Sequence, residues 1–165
     1  WESGVFQIAQ EHMLSACVRN LLGGLIRLQR NGHGAGSVLI TTPSGELHEF
    51  GILASAMLAV AHDFPVAYLG PNLPASEILL AAERSASKVV VLGIMQTNAT
   101  PAVCDDVRRL AASLPAGVEL WLGGTGAAQV TSGVARDGLF VLQDLTHLEQ
   151  HLVRLKNTLL PAAAL

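Results

Sequence analysis

The order of apolar and polar residues along this chain predicts strands that alternate with helices. Between the apolar strand-length runs, apolar residues recur at the helical spacing of three or four residues. Such an alternation predicts an α/β fold, in which one five-stranded parallel sheet is covered by helices on both faces. The predicted strands are 37–42, 66–69, 88–92, 118–122 and 139–142, and the predicted helices between and after them are 49–61, 75–85, 101–114, 127–135 and 145–159.

A further helix is predicted before the sheet, over 11–30. Its apolar residues form one continuous stripe, and an apolar flank beside that stripe predicts packing against more than one neighbour. The glycine-rich stretch 31–36 has the composition of a flexible connection. We therefore expect a helical unit at 1–30, a linker at 31–36 and an α/β domain at 37–165. The stripe consists of Leu14, Val18, Leu21, Leu25 and Leu28, and the flank of Met13, Cys17, Leu22 and Ile26.

Composition and motifs narrow the function classes. The chain has 165 residues, of which 50% are hydrophobic and 14% charged, and its formal net charge is -3. Without a Lys/Arg cluster it has no electrostatic footprint for nucleic acid, and no apolar run approaches the roughly 20 residues that cross a bilayer. Cys17 and Cys104 form no CxxC pair, which argues against a disulfide framework and fits the cytoplasm. The sequence lacks phosphate-loop, GxGxxG and nucleophile-elbow motifs, so nucleotide hydrolysis and dehydrogenase chemistry have little support.

The loops after the first, third and fourth strands form the candidate site, because parallel sheets bind ligands beyond the carboxyl ends of their strands. His48 lies in the first of these loops, and neutral imidazole is a common ligand of transition metals such as cobalt. Glu46, two residues earlier, can accept the other ring N–H and orient the ring. Gly51 removes a side chain where a large planar cofactor would approach the next helix.

Two strings of residues resemble motifs of known families. Glu46-x-His48-x-x-Gly51 resembles the Asp/Glu-x-His-x-x-Gly signature of cobalamin-binding domains. Trp1, Glu11 and His12 form a Trp-x9-Glu-His string, which resembles the upper-face motif of the CarH/LitR type of light-dependent, MerR-family transcriptional regulators. The resemblance covers nearly the whole chain. It implies a flavodoxin-like (Rossmann-type) domain preceded by the last part of a helical-bundle cap.

On the lower face, the resemblance implies that His48 replaces the dimethylbenzimidazole base as the cobalt ligand, with Glu46 as its partner. The freed nucleotide tail would then insert beside the sheet. The family's Ser-x-Leu segment corresponds to Gly93-Ile94-Met95, which lacks the serine hydroxyl but offers added space, whereas its Gly-Gly pair after the fourth strand is intact. The implied cofactor-binding residues of this face are Glu46, Leu47, His48, Gly51, Gly93, Met95, Gly123, Gly124 and Thr125.

On the upper face, the resemblance implies that Trp1 packs over the axial group of adenosylcobalamin and that Glu11 binds ribose hydroxyls. His12 is the implied second cobalt ligand, once light has broken the cobalt–carbon bond. The cap would then shift and change the oligomeric state, which controls DNA binding without catalytic turnover. A chain that starts at Trp1 is expected to be a fragment, and the DNA-binding domain is expected to lie outside it.

Two other functions remain open. A corrinoid methyl-carrier protein that serves a methyltransferase shares the layout of a helical cap and a cobalamin domain. A flavodoxin-like interaction module without a cofactor would make His48 an ordinary loop histidine, and Trp1 with Glu11 and His12 part of a truncated helical bundle.

Several polar residues outside these motifs have simpler interpretations. His147 and His151 have a four-residue spacing that some metal sites use, but a solvated helix face is favoured. His33 and His62 are expected to be exposed and without partners. Thr42 and Ser44 are candidates for cofactor contact, and turn chemistry around the neighbouring proline explains them equally well.

Overall fold

The computed structural model describes residues 7–28, 36–96 and 99–159. The described residues form one sheet of five strands: β1 (Ser37–Pro43), β2 (Val66–Leu73), β3 (Ser87–Gly93), β4 (Glu119–Gly123) and β5 (Leu139–Leu142). The strand order is β2-β1-β3-β4-β5, and each neighbouring pair is parallel. This is the doubly wound order of flavodoxin-like folds, so the predicted fold class is confirmed.

Six helices occur in the described residues: α1 (Ile8–Arg27), α2 (Phe50–Ala61), α3 (Ala75–Arg84), α4 (Pro101–Ser113), α5 (Ala127–Val130) and α6 (Leu145–Leu159). The central strands are buried on both faces, as their continuous aliphatic sequences predict. One core cluster joins the sheet to α3, α4 and α5, and the other joins it to α2, α6 and the end of α1.

The helix α1 contacts the domain through its C-terminal part. Ile26 is buried and Leu22 is partly buried in the same cluster as α2 and α6. The N-terminal part of α1 carries uncovered apolar side chains, which agrees with the prediction of further neighbours for this helix. That α1 is the end of a helical cap stays a prediction, and the linker 31–36 lies almost entirely outside the described residues. The exposed large apolar side chains are Ile8, Met13 and Leu14 in the N-terminal half of α1, Leu21 and Leu25 in its C-terminal half, and Leu28 at its C-cap.

The largest differences from the predicted boundaries are at the ends of β2 and α5, whereas α1 begins and ends three residues earlier than predicted. The strand β2 continues to Leu73, beyond the predicted end at residue 69, because Gly70 and Asn72 adopt positive φ values of 76° and 65° and the pairing with β1 shifts register there. The helix α5 ends at Val130 rather than at residue 135. The residues that follow it include Gly133 at a φ of 74°, and threonine, serine and glycine disfavour helix continuation.

No helix in the described parts of the chain is long and apolar enough to cross a membrane.

Candidate functional site

His48 lies at the switch point of the sheet. The strands β2 and β3 flank β1 on opposite sides, so the loops that leave β1 and β3 diverge and open a crevice between them. His48 belongs to the turn between β1 and α2. Its side chain is 63% exposed and is therefore accessible to a ligand in that crevice.

Glu46 fixes the ring of His48. The Glu46 side chain is fully buried, and its Oε1 atom lies 2.5 Å from His48 Nδ1 and accepts the backbone N–H of His48 at 3.0 Å. Because an ionised carboxylate only accepts hydrogen bonds, Nδ1 carries the proton and Nε2 of the neutral ring keeps a lone pair. Among the described residues Nε2 has no hydrogen-bond partner. The ring is thus prepared to coordinate a metal through Nε2.

The second carboxylate oxygen of Glu46 ties the turn to the loop after β3. Its Oε2 atom accepts the backbone N–H groups of Met95 at 2.8 Å and of Gln96 at 3.0 Å. Burial raises the pKa of Glu46, but these hydrogen bonds and those from His48 outweigh burial and hold the pKa below its ordinary value. One ionised buried group therefore fixes both the histidine and the neighbouring loop.

Polar side chains from other elements brace the same turn. The Thr42 hydroxyl donates to the carbonyl of Glu46 at 2.5 Å and accepts the N–H of Asn72 at 2.8 Å. Asp106 of α4 accepts the N–H of Ser44 at 2.9 Å. Both roles belong to the turn itself, which favours turn chemistry over cofactor contact for Thr42 and Ser44.

A cavity of about 530 Å³ opens beside His48. It lies against the carboxyl ends of β3, β4 and β5 and the first turns of α2 and α6, and its walls are mainly apolar. Two residues predicted for the lower face, Glu46 and Leu47, are not among those that line the cavity, and the first is fully buried whereas the second is 67% exposed. Seven residues predicted for the lower face line the cavity: His48, Gly51, Gly93, Met95, Gly123, Gly124 and Thr125.

Glycines shape the cavity in ways that the sequence predicted only in part. A Cβ atom on Gly93 would lie 2.6 Å from Cγ2 of Ile52. The expectation of added space at Gly93 is therefore wrong, because Ile52 fills it. Gly124 has a φ of 103°, and a Cβ there would collide with the carbonyl of Ile94. Gly126, which the sequence reasoning missed, would place a Cβ against the backbone of the loop after β3.

The predicted upper-face residues are only partly described. Trp1 lies outside the described residues. Glu11 and His12 are on α1, where the Glu11 carboxylate accepts from the Ser15 hydroxyl at 3.5 Å and His12 is exposed. His12 precedes Arg19 by seven residues, about two helical turns, and so lies on the same side of α1. In the described structure, no hydrogen bond or ion pair joins Glu11 or His12 to the turn of His48.

A polar contact that the sequence did not predict links α1 to this turn. Nε of Arg19 lies 2.7 Å from Oε2 of Glu49, the residue after His48. The Tyr68 hydroxyl donates to Oε1 of the same carboxylate at 2.9 Å. Burial and the Glu49 carboxylate raise the pKa of Tyr68, so its hydroxyl stays protonated and keeps donating.

His62 is half-buried and has a partner, contrary to expectation. His62 lies 3.1 Å from Glu149, and His33 lies outside the described residues. The solvated face predicted for the last helix is wrong for His151, whose ring packs against Trp121 and Phe140.

The two histidines of α6 do not form a metal site. His147 Nε2 and His151 Nε2 are 3.2 Å apart. However, Nδ1 of His147 faces the backbone N–H of Gln143 at 3.3 Å, and Nδ1 of His151 faces the Arg154 guanidinium at 3.3 Å. A ring that binds metal through Nε2 carries its proton on Nδ1 and needs an acceptor there, which neither ring has. Across the described ranges, no three His, Cys, Asp or Glu side chains are grouped to hold a metal ion.

The chain is similar in sequence to a curated regulator, although no family model matches it. Over 143 residues it is 31% identical to the HTH-type transcriptional repressor CarH of Myxococcus xanthus. The alignment covers 87% of this chain and 48% of the repressor, so the chain spans about half the length of that relative.

Three solved structures share the fold. A cobalamin-binding protein from Desulfitobacterium hafniense gives a TM-score of 0.61 at 22% identity, covering 72% of this chain and 58% of its own. The monomethylamine corrinoid protein of Methanosarcina barkeri gives a TM-score of 0.66 at 18% identity, and the match covers 94% of this chain and 74% of that protein. The methanol:cobalamin methyltransferase complex MtaBC of Methanosarcina barkeri gives a TM-score of 0.56 at 18% identity, and the match covers 92% of this chain and 65% of the matched chain. At these identities the three structures establish the fold.

Proposed function

We propose, on the premise that this chain is a domain of the CarH type, that it binds cobalamin with His48 as the lower ligand of cobalt. The observation that carries the proposal is the oriented ring of His48 beside an apolar cavity. Its Nδ1 is held by the buried Glu46 at 2.5 Å, while Nε2 has no partner among the described residues. The residues fit the group, because Nε2 of His48 would supply an imidazole nitrogen to cobalt and the apolar cavity beside it would take the nucleotide tail.

The chain's own residues would act as follows in this proposal. His48 would coordinate through Nε2, and Glu46 would hold the proton at Nδ1, which raises the basicity of the coordinating nitrogen. The cavity of about 530 Å³ would take the tail, with Gly124 keeping backbone close to it. Glu11 and His12, on the projecting part of α1, would face the upper side. When bound, adenosylcobalamin supplies a cobalt–carbon bond that light cleaves.

The lower-ligand assignment is tested by electron paramagnetic resonance of the cobalt(II) form of cobalamin bound to the chain. Replacing ordinary histidine by ¹⁵N-labelled histidine should change the nitrogen splitting from triplets to doublets, because the coordinating nitrogen then belongs to the protein. The variant His48→Ala should lose the effect, and His62→Ala, whose ring lies 3.1 Å from Glu149 away from the cavity, should keep it. Unchanged triplets from the labelled chain would rule out His48 as ligand.

We further propose that the chain is the photosensory part of a light-dependent transcriptional regulator, with DNA bound by a domain outside it. The sequence similarity to a transcriptional repressor supports this proposal. Green light on the chain loaded with adenosylcobalamin should give a stable product, and His12→Ala should alter its absorption spectrum. If the product is the same in His12→Ala, His12 is not the second ligand.

The competing function is a corrinoid methyl carrier, because the fold is also that of a monomethylamine corrinoid protein. A methyl carrier would exchange a methyl group with a methyltransferase and would need reductive reactivation. This function would be favoured over the photosensory one if the loaded chain transfers a methyl group and light does not change its oligomeric state.

A further inference from the structure

We propose that Glu49 is a positioning residue that couples the docking of α1 to the orientation of the His48 turn, through Arg19 and Tyr68. The inference rests on the proposed function, because this turn carries the lower ligand. Glu49 occupies one of the unassigned positions of the Glu46-x-His48-x-x-Gly51 string, and the sequence assigns no role to Arg19, Glu49 or Tyr68. The proposal stands on their contacts.

Glu49 belongs to the turn and to the helix that follows it. It comes directly after His48, and it is the N-terminal capping position of α2 with φ -100° and ψ -29°. Its carbonyl accepts the N–H of Leu53 at 3.0 Å, which anchors the backbone of Glu49 to α2. A shift of the Glu49 backbone would therefore move the start of α2 and, across a single peptide unit, His48.

The carboxylate of Glu49 is shared by two other elements. Its Oε2 atom pairs with Nε of Arg19 on α1 at 2.7 Å, and its Oε1 atom accepts the hydroxyl of Tyr68 on β2 at 2.9 Å. The Glu49 side chain is only 16% exposed, so this pair is less screened than a surface ion pair. The Arg19 guanidinium also lies 5.6 Å from the centre of the Phe50 ring, which adds a cation–π contact.

This ion pair is the polar link between α1 and the domain. Among the described residues, no other ion pair joins α1 to the rest of the chain. Besides this pair and the cation–π contact with Phe50, α1 contributes the apolar side chains of Leu22 and Ile26 to the core cluster. Apolar burial is not directional, so it holds the helix against the sheet without fixing its position along the helix axis. Arg19 and Glu49 fix that position relative to His48.

Separating the pair carries a penalty that reaches the turn. If α1 moves away, the Glu49 carboxylate loses the guanidinium and keeps the Tyr68 hydroxyl as a protein partner, so separation gives up a charge-assisted contact. Coupling between two equilibria is reciprocal. A ligand that orders the His48 turn must therefore strengthen the docking of α1 by the same factor by which docking strengthens the binding of that ligand.

The test measures both sides of this coupling in the full chain. Amide hydrogen exchange reports the docking of α1, and titration with cobinamide, which lacks the nucleotide tail, reports coordination at His48. Arg19→Met and Glu49→Gln should each speed exchange in α1 and weaken cobinamide binding by roughly fivefold. The double variant should be no worse than either single variant, because both remove one interaction. Arg108→Met, which breaks the exposed pair with Asp105 on α4, should change neither measurement.

Two results would overturn the proposal. One is faster exchange in α1 with unchanged cobinamide affinity, since the pair would then dock the helix without reaching the ligand turn. The second applies if the unmodified chain binds neither cobinamide nor cobalamin, which contradicts the proposed function. In that case Arg19→Met should still speed amide exchange at 46–50 in the ligand-free chain, and unchanged exchange there would refute the coupling.

Discussion

The imidazole Nδ1 atom of His48 and the carboxylate Oε1 atom of Glu46 are 2.5 Å apart, although the first side chain is 63% exposed and the second is fully buried. The exposed imidazole of His48 is thus held in place by the buried carboxylate of Glu46. The exposed ring keeps its orientation without help from solvent or cofactor, because the carboxylate is itself fixed by backbone N–H groups after β3.

Glu46→Gln should lower both stability and cofactor affinity. The amide oxygen can still accept from His48, but the NH2 group would face the N–H groups of Met95 and Gln96. Leaving such buried groups unpaired costs about 1–3 kcal/mol, and mutating the partner of a metal-binding histidine weakens binding by roughly 10- to 100-fold. Urea unfolding and cobalamin titration measure the two effects. Glu46→Asp, which keeps the charge, should bind better than Glu46→Gln, and equal affinity of the two variants would contradict this role for the charge.

Gly51→Leu should block cofactor binding without destabilising the ligand-free chain. Gly51 is in the first turn of α2 and lines the cavity, and a Cβ atom there meets no atom within 4 Å. A leucine gains about 0.5–1 kcal/mol of helix propensity over glycine and projects into the space that the corrin would use. Thermal unfolding should therefore show an equal or higher Tm, whereas cobalamin titration should show little binding. Undiminished binding would place the cofactor elsewhere.

Gly124→Ala should destabilise the chain more than Gly133→Ala. Both glycines have positive φ, at 103° and 74°, so both alanine variants carry backbone strain of about 1 kcal/mol. Only at Gly124 would the new Cβ also collide with the carbonyl of Ile94, since the space at Gly133 is open. The difference between the losses in unfolding free energy of the two variants measures the cost of the collision at Gly124. Equal losses would mean that the loop after β3 moves aside at no cost.

Glu119→Gln should lower stability fully above the ordinary pKa of the carboxyl, and this loss should fade as pH falls through the lowered pKa of the folded chain. Burial raises the pKa of Glu119, but hydrogen bonds from Arg154 and Trp121 outweigh burial and lower the pKa from 4.5. A lowered folded-state pKa stabilises the folded chain above that value, and the contribution is lost as pH falls through the folded pKa. The variant should be less stable by about 1 kcal/mol near neutral pH, with the gap closing below pH 4.5. A gap that is constant with pH would point to packing instead of charge.

The sequence predicts most of the sheet because its strands are continuous aliphatic runs. The central strands are buried on both faces, so they are recognisable as continuous apolar runs and do not require an alternating pattern. The end of β2 could not be predicted, because glycine and asparagine, here Gly70 and Asn72, are typical of turns. In the structure their positive φ values instead keep the strand paired with β1 through a shift in register.

The candidate site was predictable only where a motif is local in sequence. Glu46 and His48 are two residues apart, so their spacing suggests the contact that the structure has. The braces of the turn come from Asn72, Gln96 and Asp106, which are distant in sequence and meet only once the parallel sheet has formed. The contact of Arg19 with Glu49 has the same origin, because it depends on how α1 docks.

Ile52 and Gly93 share one space, since a Cβ on the glycine would lie 2.6 Å from Cγ2 of the isoleucine. These two positions are therefore not free to mutate one at a time. A homologue that places serine or alanine at position 93 should carry a smaller residue at position 52, and introducing serine here should succeed only together with a substitution such as Ile52→Ala. The hydroxyl that this chain lacks after its third strand is thus excluded by the first turn of α2, and restoring it requires two mutations in concert.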